Sequence, residues 1–135
     1  MKFRAAAAIA LLFTAELPAI ADTAAPAAPR RAYSRRELFS QRTGEEIYRG
    51  VCQGCHMPDA KGAVGAGAYP ALAGNPNLET AGYPVGVIVK GQKAMPSLAG
   101  YLDDEQIANV VNYVRTHFGN KYRDKVKPED VKLMR

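Results

Sequence analysis

Cysteine and histidine are scarce in this chain, which has two of each among its 135 residues. The two cysteines lie three positions apart, so a disulfide between them would close a tiny loop and stabilise the fold little. A structural zinc site normally needs four ligands, and the chain offers few to choose from.

The sequence also lacks internal repeats and the apolar–polar alternation that is typical of β-strands. We therefore expect an all-α fold.

Long apolar runs are equally scarce, and the clear one stands near the N-terminus. Lys2 and Arg4 precede an apolar stretch from Ala5 to Ala15, and Ala19–Ala21 supplies small residues at the positions that a signal peptidase reads. We predict a signal peptide over residues 1–21, and hence export to the periplasm. The alternative is an uncleaved membrane anchor, but the run is about half of the ~20 residues that a spanning helix needs. No later segment is apolar enough to span, so we expect no permanent membrane span.

Charge is only mildly unbalanced. Residues 22–135 carry 16 Lys and Arg against 12 Asp and Glu, a net charge of +4. The basic residues are scattered and not interleaved with aromatics, so the pattern does not indicate nucleic-acid binding. It suits an acidic protein partner or simple solubility. An arginine group is a candidate docking patch, although charge runs are usually solvated faces. These arginines are Arg30, Arg31, Arg35, Arg36, Arg42 and Arg49.

Composition divides the rest of the chain into three parts. Residues 22–42 are rich in alanine, proline and arginine, which predicts a flexible basic extension with a short helix from Ser34 to Phe39. Residues 43–119 form the predicted domain. Residues 120–135 form a basic tail, with a last short helix from Pro128.

The domain begins and ends with capped helices. Thr43 opens a capping box, T-G-E-E, which predicts a helix from about Gly44 into the two cysteines. Asp103 and Gln106 form another capping box, which opens the clearest helix, and Gly119 ends it. The apolar stripe of that helix recurs at helical spacing. It consists of Ile107, Val110, Val111, Val114 and Phe118.

Between these helices, large apolar side chains are few. Residues 58–82 are rich in Gly, Ala, Pro and Asn, which favours loops, and Pro84 opens a predicted short helix that ends at Lys90 before Gly91. A long ordered loop in so small a domain usually wraps around something, and a chain of this size is marginal without extra stabilisation. The composition therefore indicates a bound apolar cofactor.

The cysteine pair indicates which cofactor this is. The residues C-Q-G-C-H at 52–56 match C-x-x-C-H, the pattern of covalent haem c attachment. On a helical turn, thiols three residues apart lie on one face and can reach the two vinyl groups on one edge of a porphyrin. The adjacent imidazole then points at the iron from the same side. We expect one haem c, attached through Cys52 and Cys55, with His56 as an axial ligand.

Three other interpretations of the motif compete. A thioredoxin-like dithiol also uses C-x-x-C, but no βαβ pattern surrounds this one. A zinc site would have to recruit His117, the second histidine, from the far end of the last long helix. The third interpretation is the disulfide described above.

The second axial ligand has four candidates: Met57, Met95, His117 and Met134. Met57 adjoins His56 and cannot cross to the opposite face of the haem. Met134 lies near a terminus, and a histidine at a helix end is usually solvated or a cap. Met95 stands in a polar, glycine-flanked loop that Pro96 keeps out of helix, which is a poor place for core filler. We predict Met95 as the ligand.

From Thr43 to Gly119 the sequence resembles the class I c-type cytochromes. The resemblance rests on G-E-E-I-Y at 44–48, C-Q-G-C-H at 52–56, Y-P-A-L-A-G at 69–74 and G-Q-K-A-M-P at 91–96, with Tyr113 on the final helix. It implies helices and Gly/Pro-rich loops wrapped around one haem, with His56 and Met95 as axial ligands.

The resemblance also implies roles for other residues. The Pro70 carbonyl would accept the ring N–H of His56, and Leu72 would pack on the haem. Gly44 and Tyr48 would meet Tyr113 where the first and last helices cross. Several relatives use a tryptophan to hydrogen-bond a haem propionate, and this chain has none. The candidates to replace it are Tyr83, Gln92 and Tyr101.

An electron carrier is the function that the resemblance implies. The donor would be a periplasmic dehydrogenase, and the acceptor a terminal oxidase or another cytochrome. A haem enzyme or gas sensor is the alternative, but it needs acid or base residues at an open position, and the Met95 loop has no His or Arg nearby. A permanent electron-accepting subunit of a dehydrogenase complex would share the carrier's chemistry. Lys61, Lys90 and Lys93 are candidates to rim the exposed haem edge.

Overall fold

Helices supply most of the regular structure in the computed structural model, which describes residues 39–65 and 67–135. These residues belong to one compact unit that spans residues 32–135. The predicted signal peptide, the helix predicted from Ser34 and most of the basic extension lie outside the described residues. Among the residues described, no helix is long and apolar enough to cross a membrane.

Seven helical segments and two strands follow one another along the described chain. The helical segments are α1 (Gly44–Ile47), a π-helical turn (Tyr48–Cys52), α2 (Gln53–His56), a 3-10 helix (Pro76–Leu78), α3 (Gly82–Lys90), α4 (Asp104–Thr116) and α5 (Pro128–Lys132). The strands β1 (Ala63–Val64) and β2 (Ala68–Tyr69) pair antiparallel, with Ala63 opposite Tyr69. This small hairpin is a minor addition to the expected helices and loops, and it was not predicted because strands of two residues are too short to show an alternating pattern.

The capping boxes begin the helices where the sequence predicts them. Thr43 Oγ1 accepts from the Glu46 N–H at 3.2 Å, and the Glu46 carboxylate accepts from the Thr43 N–H at 3.1 Å. The hydrogen bond from the Thr43 backbone N–H is the largest cause that lowers the pKa of Glu46 below its usual value, followed by the Thr43 side chain. Asp103 and Gln106 make the same reciprocal pair at the start of α4. The π-helical turn between α1 and α2 was not predicted.

Two helix boundaries differ from the prediction. The helix expected to begin at Pro84 begins two residues earlier, at Gly82. Helix α4 ends at Thr116 instead of continuing to Gly119, because His117 is extended and Phe118 has a φ of 56°. That turn brings the centroid of the Phe118 ring to 4.8 Å from that of Tyr48. The backbone therefore leaves the helix at the point where Phe118 packs against the core.

Helices α1 and α4 cross closely, as predicted. A Cβ on Gly44 would overlap with the Asn109 carbonyl and lie 2.6 Å from Tyr113 Cβ, so only glycine fits there. Beside this crossing the Tyr48 and Tyr113 rings pack at 5.8 Å. The predicted meeting of Gly44, Tyr48 and Tyr113 is confirmed.

The tail is built into the same core. Val126 and Val131 are buried, and the Asn112 side chain bonds both the N–H and the carbonyl of Val126 at 2.8 Å. Arg115 on α4 is fully buried, and its guanidinium donates to Leu78 O, Glu79 O and Asp124. This arginine therefore joins the 3-10 helix region to the tail.

Candidate functional site

The two cysteines lie near the end of the continuous helical stretch that α1, the π-helical turn and α2 form. Cys52 closes the π-helical turn and is half-buried, while Cys55 on α2 is exposed, and both are free thiols. Burial, followed by the neighbouring Cys55, raises the pKa of the Cys52 thiol to about 12. Before any haem is attached, the Cys52 side chain is therefore a neutral thiol at neutral pH.

His56 ends α2 with its imidazole buried and oriented. Its Nδ1 lies 2.9 Å from the carbonyl oxygen of Pro70. A carbonyl only accepts hydrogen bonds, so this contact selects the tautomer whose proton is on Nδ1. The Nε2 lone pair is then available to bind a metal ion.

A tight loop holds the Pro70 carbonyl in place. Gly62 has a φ of 69°, and a Cβ there would overlap with the Tyr69 carbonyl and lie 2.8 Å from the carbonyl carbon of Pro70. The backbone can pass Pro70 this closely because residue 62 is glycine. The hairpin of β1 and β2 lies between these two positions, so it returns the chain to His56.

An apolar cavity of about 270 Å³ opens beside the cysteines. All six residues predicted to bind the cofactor line it. They are Cys52, Cys55, His56, Pro70, Leu72 and Met95. Aliphatic side chains complete the walls, namely Val51, Leu78, Val87, Ile88, Leu98, Val110 and Val114. The helical spacing predicts Val110 and Val114 in the core stripe, but it does not predict that this stripe also forms a cavity wall.

The Met95 loop is closed by its own backbone. Gln92 and Met95 each donate their N–H to the other's carbonyl at 2.9 Å, and Lys93 between them has a φ of 53°. Next to this loop, the Leu98 N–H donates to Ile88 O in α3 at 2.9 Å. These bonds fix Met95 at the cavity without placing it in a helix.

The other candidate ligands lie elsewhere among the described residues. Met57 and Met134 do not line the cavity, and Met134 packs against Gly86 of α3. His117 is exposed, and its ring stacks on Tyr113 at 4.1 Å. No group of three His, Cys, Asp or Glu side chains in the described part of the chain could hold a metal ion. The zinc interpretation therefore finds no cluster there.

Two of the three candidates for the missing tryptophan meet at the cavity. The Tyr83 hydroxyl donates to Gln92 Oε1 at 3.2 Å, and both residues line the cavity wall. Tyr101 instead packs edge-on against Phe39 at 6.2 Å and lines no part of the cavity.

A wider opening of about 740 Å³ continues from the cavity towards the hairpin. It shares Cys55, His56 and Met95 with the inner cavity, and Lys61 and Lys93 are among its lining residues. We call this opening the mouth. Lys61 pairs with Asp59 at 3.5 Å. Lys90 lies on a neighbouring shallow groove beside Tyr83.

Two asparagines that sequence analysis missed brace the loop beneath the cavity. The buried Asn120 donates to Leu72 O at 2.8 Å and to Val114 O at 2.7 Å, and it accepts from the Asn75 N–H. Asn75 in turn donates to Ala71 O at 2.7 Å. Two of these bonds, from Asn120 to Leu72 and from Asn75 to Asn120, join positions more than 40 residues apart, so no local pattern reveals them.

Comparison of the sequence with known families identifies the family of the chain that forms this cavity. The sequence profile described as cytochrome c oxidase, cbb3-type, subunit III matches residues 39–114, more than half of the chain. The chain belongs to this cytochrome c family. A cytochrome c domain implies covalently bound haem c, and the donor set found here fits that group. Two thiols, an imidazole with a free Nε2 and a thioether line one apolar cavity.

Two of the curated relatives of this chain are named as cytochrome subunits of dehydrogenases. The fructose dehydrogenase cytochrome subunit of Gluconobacter japonicus is 36% identical over 102 residues, which cover 64% of this chain and 21% of that protein. The alcohol dehydrogenase (quinone) cytochrome c subunit of Gluconacetobacter polyoxogenes is 36% identical over 105 residues, covering 68% and 22%. The chain thus spans about a fifth of the length of these relatives.

A smaller relative matches almost from end to end. Cytochrome c6 of Diacronema lutheri is 32% identical over 80 residues, which cover 56% of this chain and 94% of that protein. The shared region is therefore about the size of one cytochrome c domain.

Proposed function

We propose that this protein is a periplasmic electron carrier, which passes single electrons from a donor dehydrogenase to a respiratory-chain acceptor through one haem c. The observation that carries the proposal is the meeting of Cys52, Cys55, His56 and Met95 at one apolar cavity. One attachment motif and one such cavity in the described residues support a single haem.

Each residue has a defined part in this proposal. Cys52 and Cys55 would form the two thioether bonds, and His56 and Met95 would be the axial ligands. The Pro70 carbonyl keeps the His56 proton on Nδ1 and so directs Nε2 into the cavity. Leu72 and the aliphatic walls would cover the faces of the macrocycle, and the helices and loops would wrap around it.

The lining of the inner cavity supports electron transfer without substrate chemistry. When bound, haem supplies a one-electron couple at its iron. The inner cavity is lined by no Asp, Glu, Lys or Arg of the described residues. It therefore offers few groups for the proton transfers that a haem enzyme needs, and methionine ligation would close the second axial position. This favours the carrier over the enzyme or sensor.

The dehydrogenase partner is proposed from the relatives. Two of them are named as cytochrome subunits of fructose and alcohol dehydrogenases. A donor of that kind would dock at the mouth, where Lys61 and Lys93 favour an acidic surface. The proposal also includes a cleaved leader over residues 1–21, an extension over 22–42 and a cytochrome domain over 43–119. The tail over 120–135 packs onto that domain through Val126 and Val131.

An absorption spectrum of the exported protein, oxidised and then reduced, tests the function. We expect the sharp reduced bands of a c-type haem, a weak near-infrared band in the ferric protein and no response to carbon monoxide. A spectrum without the near-infrared band that shifts with carbon monoxide would favour the enzyme or sensor. Protein without haem from a host able to mature c-type cytochromes would contradict the proposal.

A further inference from the structure

Tyr48 carries a buried hydroxyl whose partner is the residue after His56. The side chain is 1% exposed, and its ring lies against Tyr113 and Phe118. Its hydroxyl donates to the Met57 carbonyl at 2.7 Å. Burial raises the pKa of Tyr48 to about 12, so the hydroxyl keeps its proton at neutral pH. The ring packing alone would be satisfied by phenylalanine, so the hydroxyl needs its own explanation.

The Met57 carbonyl lies in a strained turn. Met57 has a φ of 66° and Ala60 a φ of 58°, both in the left-handed region that residues other than glycine rarely adopt. The same carbonyl also accepts from the Ala60 N–H at 3.0 Å. Two donors, one from Tyr48 and one from Ala60, thus hold the turn that follows His56.

This turn is hydrogen-bonded to the loop that orients His56. The Ala60 carbonyl accepts from the N–H groups of Leu72 and Ala73 at 2.7 and 2.9 Å, and Leu72 lies two positions after Pro70. The Gly62 N–H donates to the His56 carbonyl at 3.1 Å. A continuous path of hydrogen bonds therefore links the Tyr48 hydroxyl to the loop that carries the Pro70 carbonyl.

We propose that Tyr48 is a positioning residue for the axial ligand His56: its hydroxyl fixes the Met57–Ala60 turn, and through it the Pro70 carbonyl that holds the imidazole. This inference rests on the proposed function, since it assumes that His56 binds the haem iron. The hydroxyl touches neither the imidazole nor the cavity, so it acts through the backbone.

The sign of the effect on the reduction potential follows from the Nδ1 contact. A carbonyl that accepts the Nδ1 proton makes the imidazole a better electron donor, which favours the ferric state. Without the hydroxyl, the Met57–Ala60 turn loosens and this contact weakens. The potential of Tyr48→Phe should therefore be higher than that of the wild type.

Tyr113→Phe is the matched control, because it removes a hydroxyl from the same ring cluster without touching the Met57 carbonyl. Potentiometric titration of both haem proteins should show a rise for Tyr48→Phe and none for Tyr113→Phe. Electron paramagnetic resonance of the ferric proteins should show a changed imidazole orientation in Tyr48→Phe only. Equal behaviour of the two variants would overturn the inference.

Met57→Gly separates positioning from packing. Glycine adopts a positive φ without strain, so the turn then depends less on the hydroxyl. The rise in potential caused by Tyr48→Phe should shrink in the Met57→Gly background, as a double-mutant cycle measures. An undiminished rise would mean that Tyr48 acts through ring packing and would overturn the inference. Wild-type protein without haem would overturn the proposed function as well, whereas unchanged potentials in a haem-loaded protein would overturn this inference alone.

Discussion

His56 and Pro70 lie 14 positions apart, and their contact depends on residues that belong to no motif. Gly62 allows the close passage of the backbone, and Asn75 and Asn120 brace the loop from the other side. C-x-x-C-H predicts which residues bind, because attachment chemistry needs those groups at that spacing. The motif alone does not predict how the imidazole is oriented: the partner Pro70 came from the family resemblance, and the bonds that hold its loop join distant positions.

Gly62→Ala tests the role of the close backbone contact. Gly74 is the control, because it also has a positive φ, of 58°, but nothing lies within 4 Å of a Cβ there. Both substitutions incur the strain of a left-handed alanine, about 1 kcal/mol. Gly62→Ala should lower the free energy of unfolding by about 2 kcal/mol more, because of overlap. Urea unfolding of both variants measures this difference, and equal losses would contradict the account.

Met95→Leu tests the second axial ligand. Leucine has a similar volume but no sulfur, so the fold and the covalent haem should remain. The weak near-infrared band should disappear, and the reduced protein should respond to carbon monoxide. Met57→Leu, which alters a methionine outside the cavity, should keep the band. Loss of the band in Met57→Leu and not in Met95→Leu would exclude Met95 as the ligand.

Helices α4 and α5 show how a charged side chain and the tail become part of the core. The sequence predicts α4 from its cap and stripe, since both signals are local, and it predicts α5 from Pro128. It does not predict that Arg115 in α4 is buried, because its acceptors come from Leu78, Glu79 and the tail. The early end of α4 was not predicted for the same reason, since the contact of Phe118 with Tyr48 belongs to the tertiary structure. The π-helical turn was not predicted either.

Asp124→Asn tests the link between α4 and the tail. The hydrogen bond from Arg115 lowers the pKa of Asp124 below its usual 3.8. A lowered pKa stabilises the fold above about pH 3.8, and this stability is lost as the pH falls through the folded value. Thermal unfolding should therefore show a lower melting temperature for Asp124→Asn than for the wild type at pH 7. The difference between the two melting temperatures should be smaller at low pH.

Glu129→Gln is the control for that experiment, because it also removes one carboxylate from the tail but breaks no bond to Arg115. Its melting temperature should stay close to the wild-type value at pH 7. A difference in melting temperature between Asp124→Asn and the wild type that does not change with pH would contradict the ion pair of Asp124 with Arg115.

Across the whole molecule, α4 separates two basic surfaces. Its Val110 and Val114 face the cavity, whereas Asn109, Tyr113 and Thr116 line a groove of about 550 Å³ with the tail. Arg123 and Lys125 line that groove, while Lys61 and Lys93 line the mouth. If electrons pass through a haem edge exposed at the mouth, the reaction rate with an anionic partner should depend on the charges at the mouth and little on those of the outer groove.

Oxidation by ferricyanide, a small anion, measures this difference. Lys61→Gln with Lys93→Gln should slow the reaction about threefold or more at low ionic strength, and salt should reduce the effect. Arg123→Gln with Lys125→Gln removes the same charge from the outer groove and should change the rate little. Stopped-flow kinetics over a series of salt concentrations measures the rate change for each pair of substitutions and its dependence on salt. Equal slowing by the two pairs would contradict electron transfer at the mouth.

The mass of the intact, denatured protein tests the central claim most directly, because only covalent attachment survives unfolding. Protein exported from a host that matures c-type cytochromes should carry the mass of one haem per chain. Cys52→Ala with Cys55→Ala should abolish that added mass. A wild-type chain without added haem, or with haem that washes away on denaturation, would contradict attachment through Cys52 and Cys55.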